Sequence, residues 1–125
     1  MDELFKTSFQ IIAVVGGARS AYVEAVRAAR EGDFNHAEEL MKKGDEKYLA
    51  GHDVHAALIQ REAGGDPVNM TLIISHAEDQ LMAAESFKLM AQEFIEVYRH
   101  LFAQKAEQGV LLGTCEDDVS ATVDL

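Results

Sequence analysis

Small and apolar residues recur along the first segment of the chain at alternating spacings of four and three. The seam they form has one polar member, Ser8, and comprises Leu4, Ser8, Ile11, Val15, Ala18, Tyr22, Ala25 and Ala29. This spacing predicts a helix that packs lengthwise against other helices. Gly32 suits the C-terminal end of that helix, and Asp33 can cap the helix that follows.

The second segment repeats the spacing, but its seam is rich in small residues. It comprises Ala37, Met41, Gly44, Tyr48, Gly51, His55 and Leu58. Because Gly44 and Gly51 each lower helix propensity by about 1 kcal/mol, they indicate either close approach of a neighbouring helix or flexible defects. We favour close packing. Gly64 and Gly65 then predict the end of this second helix.

The third segment carries two adjacent apolar stripes and predicts a helix from about residue 68 to about residue 107, with Asp66 as its cap and Pro67 in its first turn. The first stripe comprises Ile74, Ala77, Leu81, Ala84, Lys88, Ala91, Ile95, Tyr98 and Phe102. The second stripe comprises Ile73, His76, Gln80, Ala83, Phe87, Met90, Phe94, Val97 and Leu101. Because this arc is wider than a three-helix subunit covers, we expect self-association through the third helix.

The composition suits one all-α domain, with 125 residues of which 48% are apolar, and we expect its three long helices to pack antiparallel. We place it at residues 1–108 and expect residues 109–125, which lack periodicity and include an acidic stretch, to form a flexible tail. The net charge of −11 argues against a nucleic-acid partner. Without a membrane-length apolar run or a signal-peptide pattern, we expect a cytoplasmic protein with no direct membrane insertion. Cys115, the single cysteine, suggests no redox role.

His76 is the main candidate for chemistry, since it interrupts the apolar stretch IISHAEDQLMAAE. Taken alone it is either a structural histidine or a nucleophile, because a neutral imidazole nitrogen can accept a phosphoryl group. Asp79 lies one turn away. If identical helices pack around a symmetry axis, their Asp79 carboxylates converge and repel unless they are protonated or bridged by a cation.

A zinc site is a weaker interpretation, because the histidines are scattered over three helices without an HExxH or CxxC pattern. His52 and His55 lie three residues apart on the glycine-bearing helix. They either meet His76 in a bundle or face solvent. No phosphate-binding glycine loop or nucleophile elbow is present in the sequence.

Several segments together resemble one family. TLIISHAEDQLMAAESFKLMAQEFIEVYRHL is similar to the third helix of the lactose/cellobiose-type IIA proteins of the sugar phosphotransferase system, whose motif reads close to HAQDHLM. GGARS with VEAVRAAREGDFNHAEEL resembles the family's G[DN]ARS region, and AGHDVHAALIQREAGG resembles its AHxxQTxLIxxEA segment. The resemblance covers most of residues 10 to 105.

The resemblance implies a homotrimer of three-helix subunits acting in the uptake of a saccharide such as lactose, cellobiose or chitobiose. His76 would accept a phosphoryl group from HPr and pass it to a cysteine of a IIB component, which serves the membrane component IIC. Asp79 would meet its symmetry mates around a divalent cation, usually Mg²⁺. Gln80, His52 and His55 are the candidates for the surrounding pocket.

Four positions depart from the family's motifs. Gln80 replaces the second histidine of HAQDHLM, Glu78 replaces its glutamine, His55 replaces the glutamine of AHxxQT, and Gly17 precedes ARS. The spacing of Glu78 should turn it outward, away from His76. A non-catalytic interaction protein of the same fold is therefore the alternative function. A two-component phosphotransfer domain fits less well, because HAEDQ is not its HxLKG-like motif.

Overall fold

Three helices account for the architecture. The computed structural model describes the backbone of residues 2–123 and the side chains of residues 2–109. Helix α1 spans Glu3–Arg30, α2 spans Phe34–Ala63 and α3 spans Leu72–Val123. Within this described part no β-strand is formed, so the predicted all-α, three-helix class is confirmed.

The order of core contacts along the helices gives their directions. Near the start of α1, Ile11 packs in the same buried cluster as Ala77 of α3. Near its end, Ala29 packs with Ile95 of α3 and with Ala37 at the start of α2. Helices α1 and α3 are therefore parallel, and α2 runs antiparallel to both. This arrangement brings the first turns of α1 and α3 to the same end of the bundle.

The turn between α1 and α2 follows the sequence prediction. Gly32 adopts a φ of +83°, a left-handed conformation that glycine tolerates, just after α1 ends. The Asp33 side chain then accepts a hydrogen bond from the backbone N–H of His36 at 3.1 Å, as an N-cap does. At the far end of α2, Gly64 and Gly65 end the helix as predicted.

The predicted start of α3 at Asp66 and Pro67 is wrong. Asp66 instead accepts a hydrogen bond from Nε of Arg61 at 2.6 Å, so its carboxylate is used by the end of α2. Helix α3 begins at Leu72, and Oγ1 of Thr71 accepts from the backbone N–H of Ile74 at 3.4 Å. Thr71 thus takes the capping role.

Helix α3 also continues to Val123, beyond the predicted end near residue 107. The added segment contains no proline, and its glycines lower helix propensity without stopping a helix. Side chains after residue 109, including Cys115, lie outside the described residues. The flexibility of residues 109–125 stays a prediction.

The seam of α1 forms the centre of the core, because α1 contributes buried residues to each of the three described core clusters. Its buried residues are Ser8, Ile11, Val15, Ala18, Ala21, Tyr22, Ala25 and Ala29. The predicted seam is confirmed, except that Leu4 is half-buried and Ala21 is an additional member.

Close packing explains the two glycines of the α2 seam. A Cβ atom on Gly44 would lie 2.5 Å from Cε1 of Tyr22, and one on Gly51 would lie 2.8 Å from Cγ2 of Val15. Both distances are shorter than van der Waals contact. The glycines therefore let α2 approach α1 closely, as the sequence pattern favoured.

The polar residues of the predicted seams have local partners. Ser8 Oγ donates to the backbone carbonyl of Leu4 at 2.8 Å within its own helix. Lys88 extends its Nζ to Oδ1 of Asp45 at 3.2 Å, and the Tyr22 hydroxyl donates to the same oxygen at 2.7 Å. Asp45 thereby joins one residue from each of the other two helices.

The second stripe of α3 stays exposed in a single chain. Its largest residues are between 41% and 55% exposed and comprise Phe87, Met90, Phe94, Val97 and Leu101. The first stripe is buried at Ile74, Ala77, Leu81, Ala84, Ala91 and Ile95. A single subunit therefore covers one of the two stripes, as predicted. Within the described residues, no helix combines the length and apolarity needed to cross a membrane.

Candidate functional site

His76 lies in an open groove where the parallel helices α1 and α3 begin. It is the fifth residue of α3, its side chain is exposed, and the groove has a volume of about 860 Å³. The other lining residues are Asp2, Leu4, Phe5, Thr71, Leu72 and Ile73. Most of these walls are apolar. The imidazole is therefore accessible from outside while it borders a surface that water solvates poorly.

Gln80 occupies the next turn of α3, four residues after His76. Its Oε1 accepts a hydrogen bond from Nη1 of Arg19 on α1 at 2.8 Å. Both side chains are half-buried. This contact ties the α3 turn after His76 to α1, and the sequence analysis did not identify it. The signal available was the ARS motif itself, but its distance from HAEDQ along the chain hides the pairing.

His55 contacts Glu78 instead of joining the His76 groove. Its Nε2 lies 2.9 Å from Oε1 of Glu78, and the two side chains are 17% and 38% exposed. Both line a separate groove of about 670 Å³ between α2 and α3. Glu78 is absent from the described lining of the His76 groove, in line with the expectation that it turns away from His76, but it faces α2 and not solvent. Two departures from the family motifs, each replacing a glutamine, are thus partners of one another.

His52 is largely exposed, and its described neighbours belong to α2. Its Nδ1 lies 4.0 Å from Oδ1 of Asp53, and its ring centroid lies 6.1 Å from that of Tyr48. None of the three candidate pocket residues is in the described lining of the His76 groove. Gln80 lies one turn after His76 on α3, whereas His52 and His55 lie on α2.

Asp79 is exposed on the outer side of α3, one turn before Ala83 of the second stripe. Among the described residues of one chain, no three His, Cys, Asp or Glu side chains are close enough to hold a metal ion. A single Asp79 supplies one carboxylate, whose oxygens suit Mg²⁺ or Ca²⁺.

The helical bundle and an exposed histidine flanked by a fixed amide suit a phosphoryl carrier, and comparison with known proteins agrees. Residues 6–99 match the family model described as the lactose/cellobiose-specific IIA subunit of the PTS system. The lichenan-specific phosphotransferase enzyme IIA component of Bacillus subtilis is 39% identical over 104 residues, which cover 83% of this chain and 94% of the relative.

Two further similarities support the same assignment. The oligo-beta-mannoside-specific EIIA component of Bacillus subtilis is 37% identical over 92 residues, covering 74% of this chain and 84% of the relative. The crystal structure of the cellobiose-specific enzyme IIA from Bacillus anthracis matches with a TM-score of 0.80 at 37% identity, covering 82% of this chain and 94% of that one. The chain therefore belongs to the lactose/cellobiose-specific IIA family of the sugar phosphotransferase system.

Membership defines the class of activity. The protein is a phosphotransferase-type phosphoryl carrier in sugar transport, with HPr and a IIB component as its partners. The predicted family and phosphoryl-relay function are confirmed at this level.

Proposed function

We propose that His76 is the residue that carries the phosphoryl group. The observation that supports this is its position: an accessible imidazole at the start of α3, in a mostly apolar groove, within the segment that resembles the family's HAQDHLM motif. The remaining histidines fit less well. His55 is engaged by Glu78, and His36, His52 and His100 lie on exposed surfaces elsewhere.

Each of the two transfer steps exchanges one bond to phosphorus for another. A neutral imidazole nitrogen of His76 attacks phosphorus, a new N–P bond forms, and the bond between phosphorus and the HPr donor breaks. In the second step the thiolate of a IIB cysteine attacks, an S–P bond forms, and the N–P bond to His76 breaks. The apolar wall of Leu4, Phe5 and Ile73 limits access of water, which would otherwise hydrolyse the phosphohistidine.

The proposal includes a homotrimer with α3 at its centre. The exposed second stripe supports it, because an apolar surface of this length along one helix calls for a protein partner. Asp79 lies on the same side of α3 and would bring one carboxylate from each subunit toward the axis. A divalent cation, for which Mg²⁺ is our candidate, would offset the repulsion among these carboxylates.

The substrate class follows from the named relatives. They are specific for lichenan, oligo-beta-mannosides and cellobiose, so we propose that this chain serves uptake of a disaccharide or oligosaccharide such as cellobiose, lactose or chitobiose. The sugar itself would be recognised by the membrane component IIC, which receives the phosphoryl group through IIB. This IIA chain would not contact the sugar.

Phosphorylation by phosphoenolpyruvate, enzyme I and HPr tests the acceptor. Wild type and His100→Ala should take up label equally, because His100 is an exposed histidine about seven turns after His76 on the same helix. His76→Ala should take up none. Equal labelling of His76→Ala and wild type would show that the acceptor is another residue, and no labelling of wild type would favour the non-catalytic interaction protein.

A further inference from the structure

The hydrogen bond between Arg19 and Gln80 determines the orientation of the Gln80 amide as well as joining two helices. A guanidinium carries only N–H donors, whereas a glutamine amide has an acceptor oxygen and a donor nitrogen. Only the amide oxygen can accept a hydrogen bond from Arg19, because the amide nitrogen is itself a donor. The 2.8 Å contact from Nη1 to Oε1 therefore determines the orientation of the whole Gln80 amide. Its NH₂ group is held on the side away from Arg19.

The i, i+4 spacing puts Gln80 on the helix turn that follows the candidate acceptor. Residues four apart lie on neighbouring turns of one helix face, as His76 and Gln80 do. Side chains on a helix lean toward its N-terminus, so Gln80 leans toward the turn that bears His76. Arg19 leans the same way along α1, which is parallel to α3. Arg19 and Gln80 therefore both lean toward the end of the bundle at which His76 lies.

From this arrangement we infer that Arg19 is a positioning residue for phosphoryl transfer. It holds the Gln80 amide so that the NH₂ group donates a hydrogen bond to an oxygen of the phosphoryl group on His76. A phosphoryl group carries between one and two negative charges near neutral pH, which makes such a bond charge-assisted. The inference rests on the proposed role of His76 and adds how the phosphorylated state is stabilised.

The identity of residue 80 explains why the orientation matters in this chain. The family motif has histidine here, and a neutral imidazole divides one donor and one acceptor between its two ring nitrogens. A glutamine amide presents its donor and its acceptor at fixed positions only when the amide cannot rotate. Arg19 prevents that rotation. The Arg19 guanidinium contacts the Gln80 amide and not the phosphoryl oxygens. The carrier therefore stabilises the phosphoryl group through the amide without binding it too tightly for release.

The equilibrium of phosphoryl exchange with HPr and the hydrolysis half-life of the purified phosphoprotein test this inference. Arg19→Met and Gln80→Met should each shift the equilibrium toward phospho-HPr by about tenfold, the scale of one hydrogen bond to a charged group. The half-life should shorten in both variants. The double variant should be no worse than either single one, because both remove the same interaction. Arg19→Lys keeps a donor and should recover most of the effect.

Two further variants control for folding. Arg99→Met removes another interhelical arginine contact, to Glu38 at 2.8 Å, about six turns from His76 along α3, and should leave equilibrium and half-life unchanged. Gln80→Glu can still accept from Arg19 but has no N–H to donate. It should keep the folded helix content and lose phosphoryl stabilisation, which gives a test even if Arg19→Met unfolds.

The role of Arg19 is overturned if a folded Arg19→Met behaves as wild type does, or if the two single effects add in the double variant. The role of the amide donor is overturned if Gln80→Glu behaves as wild type does. These failures are distinct from failure of the proposed function, which would appear as continued labelling of His76→Ala in the same assay.

Discussion

At the residue scale, polar side chains on apolar helix faces fall into two groups. Ser8 and Lys88 have partners that account for them structurally. His76 is exposed at a groove instead, next to a glutamine that α1 holds in place. The sequence identified His76 as a polar exception but could not separate the two groups, because the contacts of Lys88 and Gln80 join residues distant along the chain.

Tyr22 gives a prediction about alkaline pH. Burial of the ring, and then its hydrogen bond to Asp45, raise the pKa of Tyr22 far above its ordinary value of 10.0. The neutral hydroxyl is favoured in the folded state, so this contribution to stability is complete below pH 10 and decreases as pH rises above it. The free energy of unfolding, measured in urea across this range, should fall more steeply for wild type than for Tyr22→Phe. Parallel slopes would contradict the assignment.

The His55–Glu78 pair gives a second prediction. Glu78→Ala leaves a largely buried imidazole without its partner and should lower the free energy of unfolding by about 1 kcal/mol. Combining His55→Gln with Glu78→Gln replaces the pair with two amides that can bond each other, so this variant should stay near wild type. Urea midpoints provide the measurement.

Glu39→Ala is the matched control for that pair. It removes a carboxylate 3.7 Å from His36, where both side chains are more than half exposed, and should have almost no effect. An equal loss of stability in Glu39→Ala and Glu78→Ala would show that the partly buried pair has no special contribution.

At the element scale, sequence periodicity predicted the helices better than their ends. The spacing of four and three identified the buried face of α1, because the same periodicity governs local geometry and packing. The predicted start of α3 was wrong because Arg61, five residues before Asp66, donates a hydrogen bond to the Asp66 carboxylate. The groove around His76 was also missed in part. Asp2 and Phe5 reach it only because α1 and α3 are parallel.

Glycine substitutions test the close approach of α1 and α2. Gly44→Ala would force a Cβ atom against the buried Tyr22 ring, so it should destabilise the protein by about 1–3 kcal/mol despite a better helix propensity. Gly16→Ala, with nothing within 4 Å of the new atom, should instead stabilise it by up to about 1 kcal/mol. Thermal or urea unfolding compares the two, and stabilisation by Gly44→Ala would contradict the packing.

At the scale of the whole molecule, the width of the apolar arc on α3 was predicted from sequence and is matched by the exposed second stripe. The hydrophobic pattern of one chain does not identify the protein surface that covers the second stripe. Our proposal assigns it to two further copies of the chain. This makes stability depend on protein concentration as well as on the contacts within a subunit.

Asp79 provides the test of assembly. Wild type should form a trimer by light scattering, and EDTA should weaken it if a cation bridges the Asp79 carboxylates. Asp79→Asn removes their repulsion, so its assembly should become insensitive to EDTA. Asp53→Asn, at an exposed position on α2, should behave as wild type does. The cation proposal fails if Asp79→Asn and wild type respond to EDTA in the same way.

Localisation of the phosphoryl group by tandem mass spectrometry tests the central claim most directly. The wild-type chain is phosphorylated through HPr, kept at alkaline pH and fragmented under conditions that preserve phosphohistidine. We predict that the added mass of one phosphoryl group lies on His76 and is absent from fragments that carry His36, His52, His55 or His100. Phosphorylation at one of those four histidines, with His76 unmodified, would contradict the account.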